Sequence, residues 1–453
     1  MLIILWRWAM LPDGFVSRMK TLLGGSFDAF MRSYDAPPSR ALRVNTKKIQ
    51  PERFLEAFPH DCEKIPYAEN GYFINVDAEE KIGLHPLHHA GAFYVQEPSA
   101  MAPLCAVDIK PDFKVLDVCA APGGKSSQAA EMLFGGVLVS NEISQSRAAA
   151  LMGNIERQGF DNVIVTNTDS KTLAEWYRGV FDLVICDAPC SGEGMFRKNP
   201  DAVLEWSEEN VKSSAARQKE ILKNAASAVR CGGYLLYSTC TFSPDEDEGA
   251  VSDFLCDHAD FSLVDVGGAL KDATSPGVDM TQARRFYPHL SRGEGQFFAL
   301  MRRSGDVISE ITYKDGSREL TADEMKTVRA FLDDVFDSTP VGRIAAVGKT
   351  VCLLPDFPVP PRSVFAAGIK IGEIEKGRVV PHHQLFSALG SKMKRKVELN
   401  DERIKKYIGG DVIAADVPNG WCAVTHCGCA VGGAKAVDGT LKNHYPKGLR
   451  RKI

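Results

Sequence analysis

The chain has no apolar run that could cross a membrane. Its opening stretch, Met1-Leu-Ile-Ile-Leu-Trp6, falls well short of the ~20 residues a spanning helix needs, and no small-residue cleavage site follows it. Met10-Leu-Pro-Asp13 reads as a more natural beginning, so residues 1–9 are expected to be an upstream mis-start. A disulfide framework is also missing. The 12 cysteines are irregularly spaced and follow no signal peptide, the pattern of a reduced, cytoplasmic protein. Neither sign of charge dominates: 54 Lys and Arg stand against 58 Asp and Glu. The net charge of −4 gives no overall attraction to nucleic acid, although it can conceal patches. There is no internal repeat, no low-complexity tract and no Gly-x-Gly-x-x-Gly loop, which sets a nicotinamide enzyme aside. Cys422, His426, Cys427 and Cys429 cluster without a paired Cys-x-x-Cys spacing. Alternate residues of a strand face opposite ways, so no metal is expected there.

What is present is a chain of 453 residues, too long for one core and enough for about three domains. Residues 1–93 mix helical and strand-like pieces: Phe15 to Leu23 has helical spacing and Arg40 to Asn45 reads as a strand. Residues 94–303 alternate strands and helices. Lys114 to Val118, Gly136 to Ser140, Asn162 to Thr166, Phe181 to Cys186 and Gly233 to Ser238 are the expected strands. Helices are expected at Lys125 to Leu133, Ser144 to Gln158 and Ser207 to Val229, the last closed by Gly232. This alternation predicts an α/β fold with a doubly wound, mostly parallel sheet. Residues 304–388 and 389–453 lose the regularity and are expected to form small β-rich modules, with a helix at Thr321 to Phe336 and a Pro-rich loop at Pro355 to Pro361.

Ligands of open α/β sheets bind outside the carboxyl ends of the strands. Three groups of residues fall there. Cys119-Ala120-Ala121-Pro122-Gly123-Gly124-Lys125 follows the first strand, where glycines let backbone approach a ligand and a helix N-terminus attracts negative charge. Glu142 ends the second strand, placed to accept hydrogen bonds from ribose hydroxyls, and Asp169 follows the third, placed to meet an adenine amino group. Asp187-Ala-Pro-Cys190 and Ser238-Thr-Cys240 follow the fourth and fifth, with Arg197 and Lys198 available for phosphate. Cys62, Cys105, Cys186, Cys231, Cys256 and Cys352 read as inert small hydrophobes, and so, more weakly, does Cys119. Asp245-Glu-Asp-Glu248 reads as charge at a helix N-terminus. His88-His89 and His382-His383 read as loop or surface histidines. The basic run Lys392 to Lys396 reads as a solvated face or, with the basic tail, an RNA footprint.

These residues resemble a known family. Arg43-Val-Asn-Thr46, Tyr94-Val-Gln-Glu-Pro-Ser-Ala-Met101, Cys119 to Lys125, Asp187-Ala-Pro-Cys-Ser-Gly-Glu-Gly194, Ser238-Thr-Cys240 and Pro288 to Phe298 are similar to the motifs of the Sun/nucleolar-antigen family of RNA 5-methylcytosine methyltransferases. Gly420-Trp421 through Lys442-Asn-His-Tyr-Pro-Lys-Gly-Leu-Arg450 is similar to the PUA-like module of its bacterial RsmF-type ribosomal RNA branch. One departure is visible: Asp247-Glu248 stands where the family usually has Asn-Glu.

The resemblance implies a Rossmann-like class I methyltransferase sheet with an N-terminal α+β RNA-binding appendage and C-terminal β-rich PUA-like modules. It implies S-adenosyl-L-methionine as cofactor, held by Cys119 to Lys125, Glu142, Arg147, Asp169 and Asp187. It implies small-subunit ribosomal RNA, or the ribosomal subunit, as partner, and a monomer. Cys240 would be the nucleophile, Cys190 would assist release and Asp187 would hold the cytosine. Two rival readings stand beside it. In a DNA-type cytosine methyltransferase Cys190 would attack. A non-catalytic RNA assembly factor would keep the site without using it.

Overall fold

The computed structural model describes residues 11–77 and 79–451. The expected mis-start at residues 1–9 lies outside the described residues. Five strands form the middle of the main sheet: β1 (Lys114–Asp117), β2 (Val137–Asn141), β3 (Val163–Thr166), β4 (Phe181–Asp187) and β5 (Val229–Thr239). Val115, Leu116, Leu138, Val139, Ile164, Val165, Leu183, Val184, Ile185, Leu235 and Leu236 on these strands are wholly buried. Such continuous apolar runs are what a sheet covered on both faces requires, and the five pair in parallel. Beyond β5 come β6 (Met280–Phe286) and β7 (Gln296–Arg303), both antiparallel additions. A strand from after residue 303, β8 (Val364–Ala367), pairs antiparallel with β3 on the opposite edge.

The order along the sheet is β6-β7-β5-β4-β1-β2-β3-β8, with a short strand outside β6. From β1 the chain winds one way through β2 and β3, then returns to β4 on the other side. The crevice between β1 and β4 is therefore the topological switch point where this architecture places ligands. Helix α1 (Gly124–Met132) leaves the loop after β1, and α2 (Gln145–Gln158) buries Ala148, Leu151 and Ile155 along one face. Helix α3 (Glu208–Ala228) is capped by Ser207, whose hydroxyl accepts from Asn210 N. Gly232 does not close it. The helix ends at Ala228, where the fully buried Val229 enters β5 beside Phe181, and Gly232 sits in an irregular stretch of that strand. Burial of a β-branched residue in the sheet outweighs the glycine stop signal.

The flanking regions carry their own sheets. Cys62–Lys64, Gly71–Ile74, Ala41–Val44 and Phe93–Val95 form an antiparallel sheet near the N-terminus. Four strands between Arg343 and Pro381 form a second, and five between Lys396 and Asn443 a third. The first and third share one core. Leu42, Val44, Phe54 and Phe93 pack in the same cluster as Leu399, Ile404, Tyr407, Val424 and Val431. His89 is buried and hydrogen-bonds Tyr445 across this junction at 2.7 Å, while His88, His382 and His383 are half-buried. The expectation of surface histidines fails because these modules close over the rings. Burial favours the neutral form and pushes His89 down to about 4. Cys231 and Cys256 are exposed and Cys62 and Cys105 half-buried, so only Cys186 and Cys352 of that set are core residues.

Candidate active site at the carboxyl edge of the sheet

The loop after β1 crosses the switch point. Gly123, with φ at +111°, supplies a conformation that a side chain would strain, and α1 begins at the next residue. Ala120 N donates to Asn141 O, tying the loop to the end of β2. The Arg147 guanidinium donates to Ala121 O at 2.8 Å and lies 3.6 Å from the Glu142 carboxylate, which also accepts from Ser144 N. Asp169 is exposed, and its carboxylate caps the helix Ser170–Trp176 by accepting from Thr172 N and Oγ1. Lys125 points across the crevice to Asp187, with Nζ 2.8 Å from the carboxylate. Behind the loop, Arg43 bonds Ser127 and pairs with the buried Glu131, while Thr46 bonds the same carboxylate. The Arg43-Val-Asn-Thr46 stretch thus braces helix α1.

The two cysteines meet. Register sets Ser238 beside Asp187 on the parallel pair β4 and β5, and its hydroxyl donates to the Asp187 carboxylate at 2.6 Å. One turn of loop further on, Cys190 Sγ and Cys240 Sγ stand 3.3 Å apart. Both are half-buried and unbridged. The facing Cys240 sulfur, and then burial, hold the Cys190 thiol well above its ordinary range. Burial also raises Cys119 and Cys186. Lys125, Asp187 and Ser238 are thus linked beside the glycine loop, and the two thiols follow Asp187 and Ser238 along their chain segments.

Three family models match in sequence order: the N-terminal domain of 16S rRNA methyltransferase RsmF over residues 11–98, 16S rRNA methyltransferase RsmB/F over 104–302, and the methyltransferase RsmF PUA domain over 394–451. The ribosomal RNA small subunit methyltransferase F of Vibrio vulnificus is 31% identical over 461 residues, covering 97% of this chain and 98% of its own. The chain belongs to the RsmB/F family of small-subunit ribosomal RNA methyltransferases. The protein of the same name from Aliivibrio salmonicida is 30% identical with the same coverage. A solved methyltransferase homologue from Pyrococcus horikoshii, 27% identical, superimposes with a TM-score of 0.57 over 64% of this chain and 95% of its own. The NSun6 structure from that organism, 22% identical, shares the fold with a TM-score of 0.58 over 65% of this chain and 99% of its own.

Within this RsmB/F-family site some expectations shift. Arg197 is not free for phosphate: it makes a two-pronged pair with the buried Glu294, both contacts at 2.8 Å, and Lys198 leans on the same carboxylate. Asp245-Glu-Asp-Glu248 does stand at a helix start, with Asp247 as N-cap of the helix Glu248–Asp257, but only Asp245 is exposed. Asp247 accepts from Thr239 and lies 2.9 Å from Arg285, which also grips Glu248; the Asp that replaces the usual Asn thus has a cation. Part of the basic run is engaged internally, Arg395 with Asp334 and Trp421 O, and Lys394 with Asp333 O. Lys392, Lys396, Lys442, Lys447 and Arg451 remain exposed. Among the described residues no His, Cys, Asp and Glu group could hold a metal, and no helix is long and apolar enough to cross a membrane.

Two residues of the site were missed from sequence. Asp117 ends β1 with 1% exposure; Ser126 donates to one carboxylate oxygen and the other has no partner. Burial, opposed by the Ser126 bond and reinforced by Asp187, pushes its carboxyl up to about 7. Ile143, directly after Glu142, is 69% exposed at the same edge. A strand-end acid, Asp117, and an apolar residue directly after another strand-end acid, Ile143 after Glu142, were the available signals.

Proposed function

We propose that this enzyme transfers a methyl group from S-adenosyl-L-methionine to C5 of a cytidine in small-subunit ribosomal RNA, through a covalent bond between Cys240 and C6 of the ring. The observation that carries the proposal is the pair of thiols 3.3 Å apart at the ends of adjacent parallel strands, next to the glycine loop. C5 of cytosine is a poor nucleophile. Adding a thiolate at C6 makes the ring an enamine and lends C5 the missing electron density.

The chain's residues fit the cofactor. The unpartnered Asp117 oxygen is an acceptor for a cationic end, Glu142 for ribose hydroxyls, and Asp169 for the adenine amino group; Ile143 is an apolar face for a purine. Loop residues Cys119 to Gly124 line the approach. S-adenosyl-L-methionine held there supplies the methyl group. Asp187, kept in place by Lys125 and Ser238, holds the cytosine at N3 and its amino group. Cys240 attacks C6. After methylation, the C5 proton passes to solvent water, the C5–H electron pair re-forms the ring double bond, and the Cys240 sulfur departs from C6 as thiolate. Cys190, still a thiol, offers its hydrogen to the leaving sulfur. The PUA module and N-terminal sheet, which share a core, supply the RNA-binding surface.

Mapping 5-methylcytidine in small-subunit RNA from cells with and without this gene tests the reading. Loss of one or more sites in the deletion, restored by the wild-type gene and not by Cys240→Ala, is the expected result. An unchanged methylation map refutes it. Cys240→Ala is expected to form no protein–RNA adduct, and Cys190→Ala to accumulate one that survives denaturing electrophoresis. A reversed pattern reassigns the nucleophile to Cys190.

A further inference from the structure

We propose that Glu246 is a positioning residue that sets the relation of Cys190 to Cys240, with Glu193 as its reciprocal partner; the proposal rests on the roles given to the two cysteines above. Glu246 follows Cys240 along the chain, yet both of its oxygens serve the other loop. Ser191, next to Cys190, donates its backbone N–H at 2.9 Å and its hydroxyl at 2.5 Å. The Gln218 amide of α3 donates at 2.9 Å, and Thr241, next to Cys240, shares the Ser191 hydroxyl at 2.8 Å. Glu193 reverses the arrangement. It belongs to the Cys190 loop and accepts from the Phe242 N–H of the Cys240 loop, while Trp206 and Arg18 hold it from outside. Between the two carboxylates, Gly194 N donates to Cys240 O at 2.9 Å. Gly194 must be glycine here, because a Cβ would lie 2.5 Å from Gly295 O.

Both carboxylates are fully buried. Glu246 accepts only from neutral donors, and burial raises its carboxyl above the usual range. A buried carboxylate without a cation is a costly way to gain stability. What the fork supplies is direction: two acceptor oxygens fix both polar groups of Ser191, and so the backbone that carries Cys190. Displacing a reacting group by about 1 Å can lower rates by ~10²-fold.

The test measures turnover, the fraction of enzyme trapped as RNA adduct, and cofactor affinity in Glu246→Ala, Glu246→Gln and Ser191→Ala, with Cys190→Ala as the reference. Glu246→Ala should keep cofactor affinity within about twofold, lose roughly 100-fold in turnover and trap adduct as Cys190→Ala does. Glu246→Gln, which keeps one acceptor, should recover part of the turnover. Ser191→Ala, which keeps the backbone link, should show the same trapping with a smaller loss. A merely structural role lowers adduct and turnover together, and that result, or parental behaviour in all three variants, overturns the proposal. If Glu246→Ala does not fold, the ratio of adduct to turnover in the other two decides. If Cys190→Ala itself traps no adduct, the reading of the cysteines fails and the proposal falls with it.

Discussion

If Asp117 faces the cofactor as proposed, cofactor binding and stability both depend on pH through its carboxyl. Its carboxyl, ordinarily near 3.8, is pushed up to about 7, chiefly by burial. The folded protein therefore keeps a proton that the unfolded chain loses. The stabilisation from that proton is complete below about pH 4 and is lost as pH rises through about 7. Between about pH 5.5 and pH 7 the loss is about 2 kcal/mol, at ~1.4 kcal/mol per pH unit. Asp117→Asn removes this dependence without removing the Ser126 contact. In chemical denaturation without ligand, the variant should gain on the parent by about 2 kcal/mol over that interval. Comparing the two proteins cancels the buried histidines, whose lowered values act with the opposite sign. A cationic ligand beside Asp117 favours the carboxylate, so binding should expel about half a proton per site near pH 7. Calorimetry of S-adenosyl-L-methionine binding in buffers of different ionisation enthalpy reads that proton. A stability difference between parent and variant that is the same at every pH, together with no proton release, would refute both the burial argument and the placement of the cofactor's charge.

Glu142→Ala should weaken S-adenosyl-L-methionine binding by roughly 1.5–3 kcal/mol, the range for hydrogen bonds to a charged group; unchanged affinity by calorimetry removes Glu142 from the ribose site. Arg197→Ala leaves the buried Glu294 carboxylate with only Lys198, 3.9 Å away, and should destabilise the fold by up to about 3–5 kcal/mol in urea. A stable variant that only binds RNA more weakly would return Arg197 to the phosphate role. Replacing Lys442, Lys447 and Arg451 together by glutamate should lower RNA affinity and flatten its dependence on salt by up to ~0.9 log units for each phosphate no longer neutralised. Equal affinity at all salt concentrations excludes this face from RNA binding.

The five parallel strands were legible because each is a short run of Val, Ile and Leu whose burial on both faces leaves no other use for it. The thiols were legible because Pro189 and Ser238-Thr239 mark where such runs stop. What escaped the sequence depends on partners far along the chain. Nothing near Arg197 announces Glu294, 97 residues away, and a basic residue without a visible partner reads as free. Asp245 to Glu248 is charge at a helix start, as its sequence suggests, but its pairing with Arg285 and Ser191 is invisible there. Asp117 looks like any strand-end acid, since its unusual state comes from being covered rather than from its neighbours in sequence. His89 misled for the same reason: it is covered by Tyr445, from the opposite end of the chain.

That last circumstance bears on how the protein is made. Phe93 and its neighbours emerge from the ribosome with an apolar face whose covering, from Leu399 onward, is roughly 300 residues behind. At about 5–20 residues per second, the face waits some 15–60 s for its complement. During that interval the intervening sheet can form, but the two ends cannot close over it. Synthesis stopped shortly before the final module would leave an exposed sticky sheet, not a smaller working enzyme, and expression of such a fragment should yield aggregate.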